Sequence, residues 1–239
     1  MMDKRQIERY FCSTFLKEIG EKGQEKLLNS KVFIVGAGGL GNQILLHLAT
    51  SGVGHIGLSD PDIVKLDNLP RQILYSENDL GKYKVDAALE KIRAKNSDVD
   101  LKIFKEYIDE NNARKLFKGF DLVIDATDNF KSKFLIEDIC KELGIPFIIA
   151  GVSDFKGQIM LVTKDSKYTF KSLFDELPIN IEQKYIDEDK GVYPLAVSLV
   201  SNLTSNETTK YLLGIGEPLI DTLLTIDTLK VEIKKHHLK

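Results

Sequence analysis

Asp60, Arg71, Lys84 and Asp128 are side chains of this 239-residue sequence whose types suit chemistry on a phosphoanhydride. Two cations, Arg71 and Lys84, can neutralise phosphate oxygens while charge builds on a leaving group. Asp128, with Asn129 beside it, suits Mg2+, which takes one or two carboxylates and fills its shell with phosphate oxygens and water. Asp60 suits the hydroxyls of a ribose. Arg71 belongs to the polar stretch Asp67-Asn68-Leu69-Pro70-Arg71-Gln72, which adds Asn68 and Gln72 as hydrogen-bonding groups. Each residue also has a plainer reading. Asp128 caps a helix that starts near Phe130, Arg71 pairs with Asp67 or Glu77, and Lys84 is solvated. Two cations and a carboxylate flanking one sheet edge favour a nucleoside triphosphate, with Arg71, Lys84 and Asp128 as the catalytic set.

The elements that must position them begin with Lys31-Val32-Phe33-Ile34-Val35, an apolar run that feeds into Gly36-Ala37-Gly38-Gly39-Leu40-Gly41. A helical segment follows from Asn42 to Ser51, then a second apolar run ending in Ser59-Asp60-Pro61-Asp62. Strand, glycine turn, helix and strand with acids at its tip make a βαβ unit built to hold a nucleotide. Gly36, Gly38, Gly39 and Gly41 let the backbone turn and approach phosphate oxygens at a helix N-terminus. The glycine spacing alone also fits a dinucleotide, so an NAD-dependent oxidoreductase is the rival reading. The later polar clusters exceed what hydride transfer needs, and no later histidine or tyrosine pair offers acid–base chemistry. His47 and His55 read as structural.

Downstream, residues 63–83 read as a functional loop, Tyr83–Lys95 and 111–118 as helices, and 99–106 as a strand. The apolar run 120–125 suits a parallel strand and ends in Ala126-Thr127-Asp128-Asn129 at the carboxyl edge, where such folds bind ligands. A helix to Leu143 with Gly144 as its cap comes next, then strands 147–152 and 158–162 about a tight turn at 153–157. Residues 164–191 carry no dominant period and read as a mobile surface loop. A helix spans 192–213, strands 223–226 and 229–233 form a final pair, and His236-His237 sit in a solvated tail. Before the βαβ unit, residues 1–29 read as a helical arm that Gly20 and Gly23 break in two. The whole is a single domain, 1–239, of α/β class: a Rossmann-like, mostly parallel sheet with helices on both faces.

A net charge of −3 speaks against a nucleic-acid surface. No apolar run approaches the roughly 18 residues that span a bilayer. The polar start is unlike a signal peptide. Cys12 and Cys140 fit neither a disulfide framework nor a metal-ligand spacing, so a cytoplasmic setting is expected.

Taken in order, Arg9-Tyr10, Gly23-Gln24, Gly36 to Gly41, Asp60-x-Asp62, Asn68-Leu69-x-Arg71-Gln72, Lys84, Asp125-Ala126-Thr127-Asp128-Asn129-Phe130, Gly151-Val152 and Gly157-Gln158 resemble the ThiF/MoeB/HesA branch of the E1-like activating enzymes. The resemblance covers essentially the whole chain. It implies a homodimer that binds ATP and Mg2+ and adenylates the C-terminal glycine carboxylate of a small ubiquitin-like sulfur carrier ending in Gly-Gly, releasing pyrophosphate, in thiamine- or molybdopterin-type sulfur transfer. By motif position, Gly39 and Gly41 line the nucleotide and Asp60 binds ribose. Asn68, Arg71, Gln72 and Lys84 contact phosphates, Asp128 holds magnesium, and Asn129 lies beside it. The alternatives are an E1-like enzyme adenylating a peptide or acting in tRNA modification, and a dimeric scaffold with reduced catalysis.

Three departures limit what carries over. Relatives with zinc use two Cys-x-x-Cys pairs, where this chain reads Tyr168-Thr169-Phe170-Lys171 and Lys234-Lys235-His236-His237, so no zinc is expected. The crossover loop at 164–191 has no cysteine for a thioester or persulfide. The arm has Cys12 where relatives carry a second arginine; a small apolar filler is expected there, with Arg9 or Lys17 as stand-in cations.

Overall fold

A computed structural model describes residues 2–173 and 191–238. Its centre is one eight-stranded sheet in the order β3-β2-β1-β4-β5-β6-β7-β8. The strands are β1 (Lys31–Val35), β2 (His55–Ser59), β3 (Asp100–Phe104), β4 (Leu122–Asp125), β5 (Phe147–Ser153), β6 (Lys156–Val162), β7 (Thr222–Asp227) and β8 (Glu232–His237). β3, β2, β1, β4 and β5 run parallel, and β6 to β8 continue the sheet antiparallel. Strand order reverses at β1, which lies between β2 and β4. That reversal opens a crevice at the carboxyl ends of β1 and β4, where open α/β sheets take their ligands.

Helices cover both faces: α4 (Gly39–Ser51), α5 (Lys84–Lys95) and α8 (Pro194–Leu213) on one, α6 (Ala113–Phe117) and α7 (Phe130–Leu143) on the other. The alternation along β1 shows why. Val32 and Ile34 join the core under α4 and α8, while Phe33 and Val35 join the core under α7. Phe33 meets Phe117 and Phe120 edge-on at 5.1 and 5.2 Å. Phe33 and Phe117, both fully buried, each contribute about 1.5–3 kcal/mol. α7 and α8 both end on left-handed glycines, Gly144, as expected, and Gly214.

Several boundaries differ from the sequence expectation. α4 starts at Gly39, three residues before Asn42. The arm holds three helices, α1 (Lys4–Arg9), α2 (Phe11–Thr14) and α3 (Gly20–Asn29), and Gly23 lies inside α3 without breaking it. The β5–β6 turn is tighter than expected, with Asp154 at φ +53. The final strands run 222–227 and 232–237, so His236 and His237 belong to β8. Thr225 Oγ1 lies 2.8 Å from His236 Nε2 and Thr222 Oγ1 3.2 Å from His237 Nδ1, so these histidines are paired. Most of the loop expected at 164–191, residues 174–190, lies outside the described residues. What precedes it is pinned: Asp221 Oδ1 accepts the Lys167 and Tyr168 amides at 2.9 and 3.0 Å, and Phe170 is buried against Phe130.

Candidate active site

The crevice is a cleft of about 1130 Å³. Gly36, Gly38, Gly39, Asp60, Asp62, Asn68, Arg71, Gln72, Lys84, Asp128 and Asn129 all line it. Gly41 does not. A Cβ at Gly41 would stand 1.8 Å from the Gly36 carbonyl oxygen, so this glycine lets α4 lie against the turn. Gly36 adopts φ +95, and a Cβ there would come 3.0 Å from the Ala126 oxygen. At Gly38 no atom lies within 4 Å of where a Cβ would be. α4 has no side-chain cap at Gly38, so its first-turn N–H groups open into the cleft. A phosphate oxygen would satisfy them.

The two acids at the β2 tip are held differently. Asp60 points inward: the Ala37 amide donates to its Oδ2 at 2.7 Å and the Asp62 amide to its Oδ1 at 2.8 Å. Burial raises its pKa, while Lys84 and those two amides oppose the rise. Tyr75 completes the brace, its hydroxyl donating to the Ala37 carbonyl at 3.0 Å. Asp62 is exposed and faces the cleft.

Lys84 is the first residue of α5, a position that disfavours a cation. Two carboxylates compensate: its Nζ lies 2.9 Å from Asp62 Oδ2 and 3.8 Å from Asp60 Oδ1. Arg71 pairs with neither Asp67 nor Glu77 by carboxylate; its Nη1 donates to the Asp67 carbonyl at 2.8 Å. Gln43 Nε2 holds the Arg71 carbonyl at 3.0 Å. Asn68 is buried, with Oδ1 accepting the Lys65 amide at 3.3 Å. Gln72 is buried, and its Oε1 has no hydrogen-bond partner among the described residues.

Asp128 is exposed and does not cap α7. Asn129 does, its Oδ1 accepting the Ser132 amide at 2.9 Å. Among the described residues Asp128 keeps only a long contact with Asn129 Nδ2, at 3.4 Å. A free carboxylate at a cleft wall, with no cluster of three or more metal-binding side chains among the described residues, fits a cation that takes most of its ligands from phosphates and water. Past Gly151 the cleft continues over Lys156, Gln158, Thr225, Lys234 and His236, enough floor for a second reactant.

The arm lies at the far end of α4, about 20 Å away at 1.5 Å per residue. Tyr10 is buried there, its hydroxyl accepting from Asn96 Nδ2 at 2.9 Å. Arg9 is held by Asp98 at 3.3 Å and by the Lys95 carbonyl at 3.1 Å, so it is not a spare cation near this chain's cleft. Cys12 is exposed, contrary to the filler expectation. Phe11, Phe15 and Leu16 beside it are exposed as well, and the two rings lie 4.4 Å apart.

The ThiF family profile matches residues 12–239. A sulfur carrier protein adenylyltransferase from Thermus thermophilus is 33% identical over 97% of this chain and 87% of its own length. A SAMP-activating enzyme E1 from Haloferax volcanii is 34% identical over 95% and 84%. The MOCS3 adenylyltransferase and sulfurtransferase of Arabidopsis thaliana is 33% identical over 96% of this chain, which spans 49% of that longer protein. Among solved structures, PaaA superposes with a TM-score of 0.82 at 25% identity, covering 99% of this chain and 75% of that one. E. coli MccB with succinimide superposes at 0.85 and 24%, covering 100% and 72%, which bears on the fold alone. No helix among the described residues is long and apolar enough to cross a membrane.

Proposed function

The chain belongs to the ThiF family and is a nucleotidyltransferase of that type, and from that premise we propose that it uses ATP to adenylate the C-terminal glycine carboxylate of a small ubiquitin-like sulfur-carrier protein ending in Gly-Gly. The observation that carries this reading is the composition of the cleft: an uncapped helix N-terminus, two cations and a free carboxylate share one concavity that runs on past Gly151. The names of its relatives support the carrier as acceptor.

The α4 N-terminus, Arg71 and Lys84 hold the triphosphate, with Asn68 and Gln72 beside them, and Asp62 takes the ribose hydroxyls while Asp60 braces the glycine turn. The acceptor carboxylate, lying on the floor past Gly151, attacks the α-phosphorus. An oxygen–phosphorus bond forms, the α–β bridging bond breaks, and pyrophosphate leaves. The enzyme forms no covalent intermediate; it orients two anions that repel each other and neutralises the charge that builds on the leaving group. Asp128 would hold Mg2+, which supplies further positive charge to the phosphate oxygens. Zinc has no part in this reading. The exposed Phe11, Phe15 and Leu16, on an arm too far to serve their own cleft, support a homodimer, and a cytoplasmic setting completes the proposal.

Pyrophosphate exchange into ATP, measured against a panel of carriers ending in Gly-Gly, tests it. Exchange that requires a carrier and is abolished by Asp128→Ala is the expected result. Removing Arg71 or Lys84 should slow exchange about 10²- to 10³-fold. ATP binding without exchange for any carrier would reduce the protein to a scaffold, and a preference for NAD over ATP in thermal-shift titration would overturn the proposal.

A further inference from the structure

Lys133 lies one turn into α7 from the Asn129 cap and is only 7% exposed. Its Nζ donates to Asp125 Oδ2 at 3.1 Å and to the Ala150 carbonyl at 2.9 Å. Asp125, the last residue of β4, is fully buried. Its other oxygen, Oδ1, accepts from the Thr127 amide at 2.9 Å and from Thr127 Oγ1 at 2.6 Å. Ala150 precedes Gly151 in the neighbouring strand β5. One ammonium thus ties the end of β4 to the middle of β5, on the wall where the cleft passes from the glycine turn to the β6–β7 floor.

Stability alone is a poor reason for such a pair. Apolar side chains of similar volume commonly hold a buried site as well as an ion pair does, or better. What the pair adds is direction. A carboxylate bonded through both oxygens has one orientation, and the Thr127 that it fixes immediately precedes Asp128. Among the described residues Asp128 has no comparable anchor of its own, only the 3.4 Å contact with Asn129. Its aim is therefore set by the turn, held by Asp125 on one side and by the Asn129 cap on the other.

We propose that Lys133 is a positioning residue. Through Asp125 and Thr127 it aims Asp128 into the cleft, and through Ala150 it sets Gly151 at the acceptor end. The proposal rests on the reading of Asp128 as the magnesium carboxylate. Without the ammonium, Asp125 is left buried with no counter-charge and turns toward the cleft, where it competes with Asp128 for the cation.

The test uses the full chain with Lys133→Met and Lys133→Arg. Mn2+ binding in the presence of a non-hydrolysable ATP analogue is read by electron paramagnetic resonance, and the Mg2+ dependence of pyrophosphate exchange is read in parallel. Lys133→Met should weaken Mn2+ binding about 10- to 100-fold, the range for residues that orient a metal ligand. The Mg2+ half-saturation should rise by a similar factor, and Lys133→Arg should restore most of both. Should Lys133→Met fold poorly, the pair Lys133→Met with Asp125→Leu supplies an apolar core without the anchor for Thr127. Recovered thermal stability with Mn2+ binding still weak is then expected. Recovery of both, or normal Mn2+ binding in folded Lys133→Met, overturns the proposal. Mn2+ binding that Asp128→Ala leaves unchanged overturns instead the assignment of the metal to Asp128, and so separates the two failures.

Discussion

Alanine at Gly38 and at Gly41 should have opposite consequences, although both belong to one glycine motif. A Cβ at position 41 would lie 1.8 Å from the Gly36 oxygen and 2.8 Å from its carbonyl carbon, both backbone atoms. α4 cannot relieve that contact by turning a side chain, so it must move off the sheet. Overpacking costs about 1–3 kcal/mol or more; with backbone on both sides of the clash the figure belongs near 3 kcal/mol. For a chain of this size the midpoint falls about 2–4 °C per kcal/mol, giving a drop of roughly 6–12 °C. Gly38 has φ −74, outside the left-handed region that favours glycine, and beyond its chain neighbours no atom lies within 4 Å of a Cβ there. Gly38→Ala should therefore stay within about 0.5 kcal/mol of the wild type. Its methyl group instead occupies the space that phosphate oxygens need to reach the α4 N–H groups. Losing one charge-assisted hydrogen bond costs about 1.5–3 kcal/mol, or roughly 10- to 100-fold in ATP affinity. Scanning calorimetry of the free proteins and titration calorimetry with a non-hydrolysable ATP analogue measure the two effects separately. A Gly38→Ala protein that melts like Gly41→Ala yet binds the analogue normally would refute the idea that the open space is kept for a ligand.

Other residues give equally direct tests. Asp79 is buried, and although burial alone would raise its pKa, hydrogen bonds from Ser76, Lys91 and Lys82 hold it well below the usual carboxylate value. Its contribution is then present above about pH 4 and lost as the pH falls through the depressed native value. Asp79→Asn should cost on the order of 2 kcal/mol at pH 7 in urea unfolding and flatten the acid decline; a wild-type acid profile in the variant would contradict the assignment. Asp62→Asn should weaken ATP about tenfold or more, and wild-type enzyme should lose a similar factor with 2′,3′-dideoxy-ATP. The two losses should not add, because they remove the same contact, and full additivity would remove Asp62 from the ribose site. Phe15→Ser should shift the protein toward monomer in sedimentation velocity without lowering the stability of the monomer itself; an unchanged sedimentation profile would exclude the arm from a subunit interface.

The most legible parts of this fold are those in which burial and local chemistry agree. β1 is bounded in the sequence where the structure bounds it, because its residues from Val32 to Val35 are buried and a glycine turn follows at once. α7 and α8 end where glycine offers the left-handed conformation that closes a helix. β8 was illegible for the converse reason. Glu232 to His237 are all exposed, so no alternation of apolar residues marks the strand, and only its backbone pairing with β7 creates it. The start of α4 was hidden because glycine is a poor helix former; Gly41 is helical there because its missing side chain lets the helix lie against the turn, and Gly39 because it packs under Val197 and Arg71.

The candidate site divides along the same line. Residue types named the chemistry, and the fold brings Gly36, Gly38, Gly39, Arg71, Lys84 and Asp128 to one crevice. The direction of each carboxylate was not in the residue types. Asp60 and Asp62 are equally acidic and two positions apart and both line the cleft, yet one is buried and bonded by the Ala37 and Asp62 amides while the other is exposed and pairs with Lys84 at 2.9 Å. Asp128 and Asn129 are adjacent, yet the amide caps the helix and leaves the carboxylate free. In both pairs the backbone's unsatisfied N–H groups claim one side chain and release its neighbour. Where a glycine turn and a helix start leave such donors open, the side chain that they capture is fixed by the backbone. The acid beside it is the one left to meet a ligand.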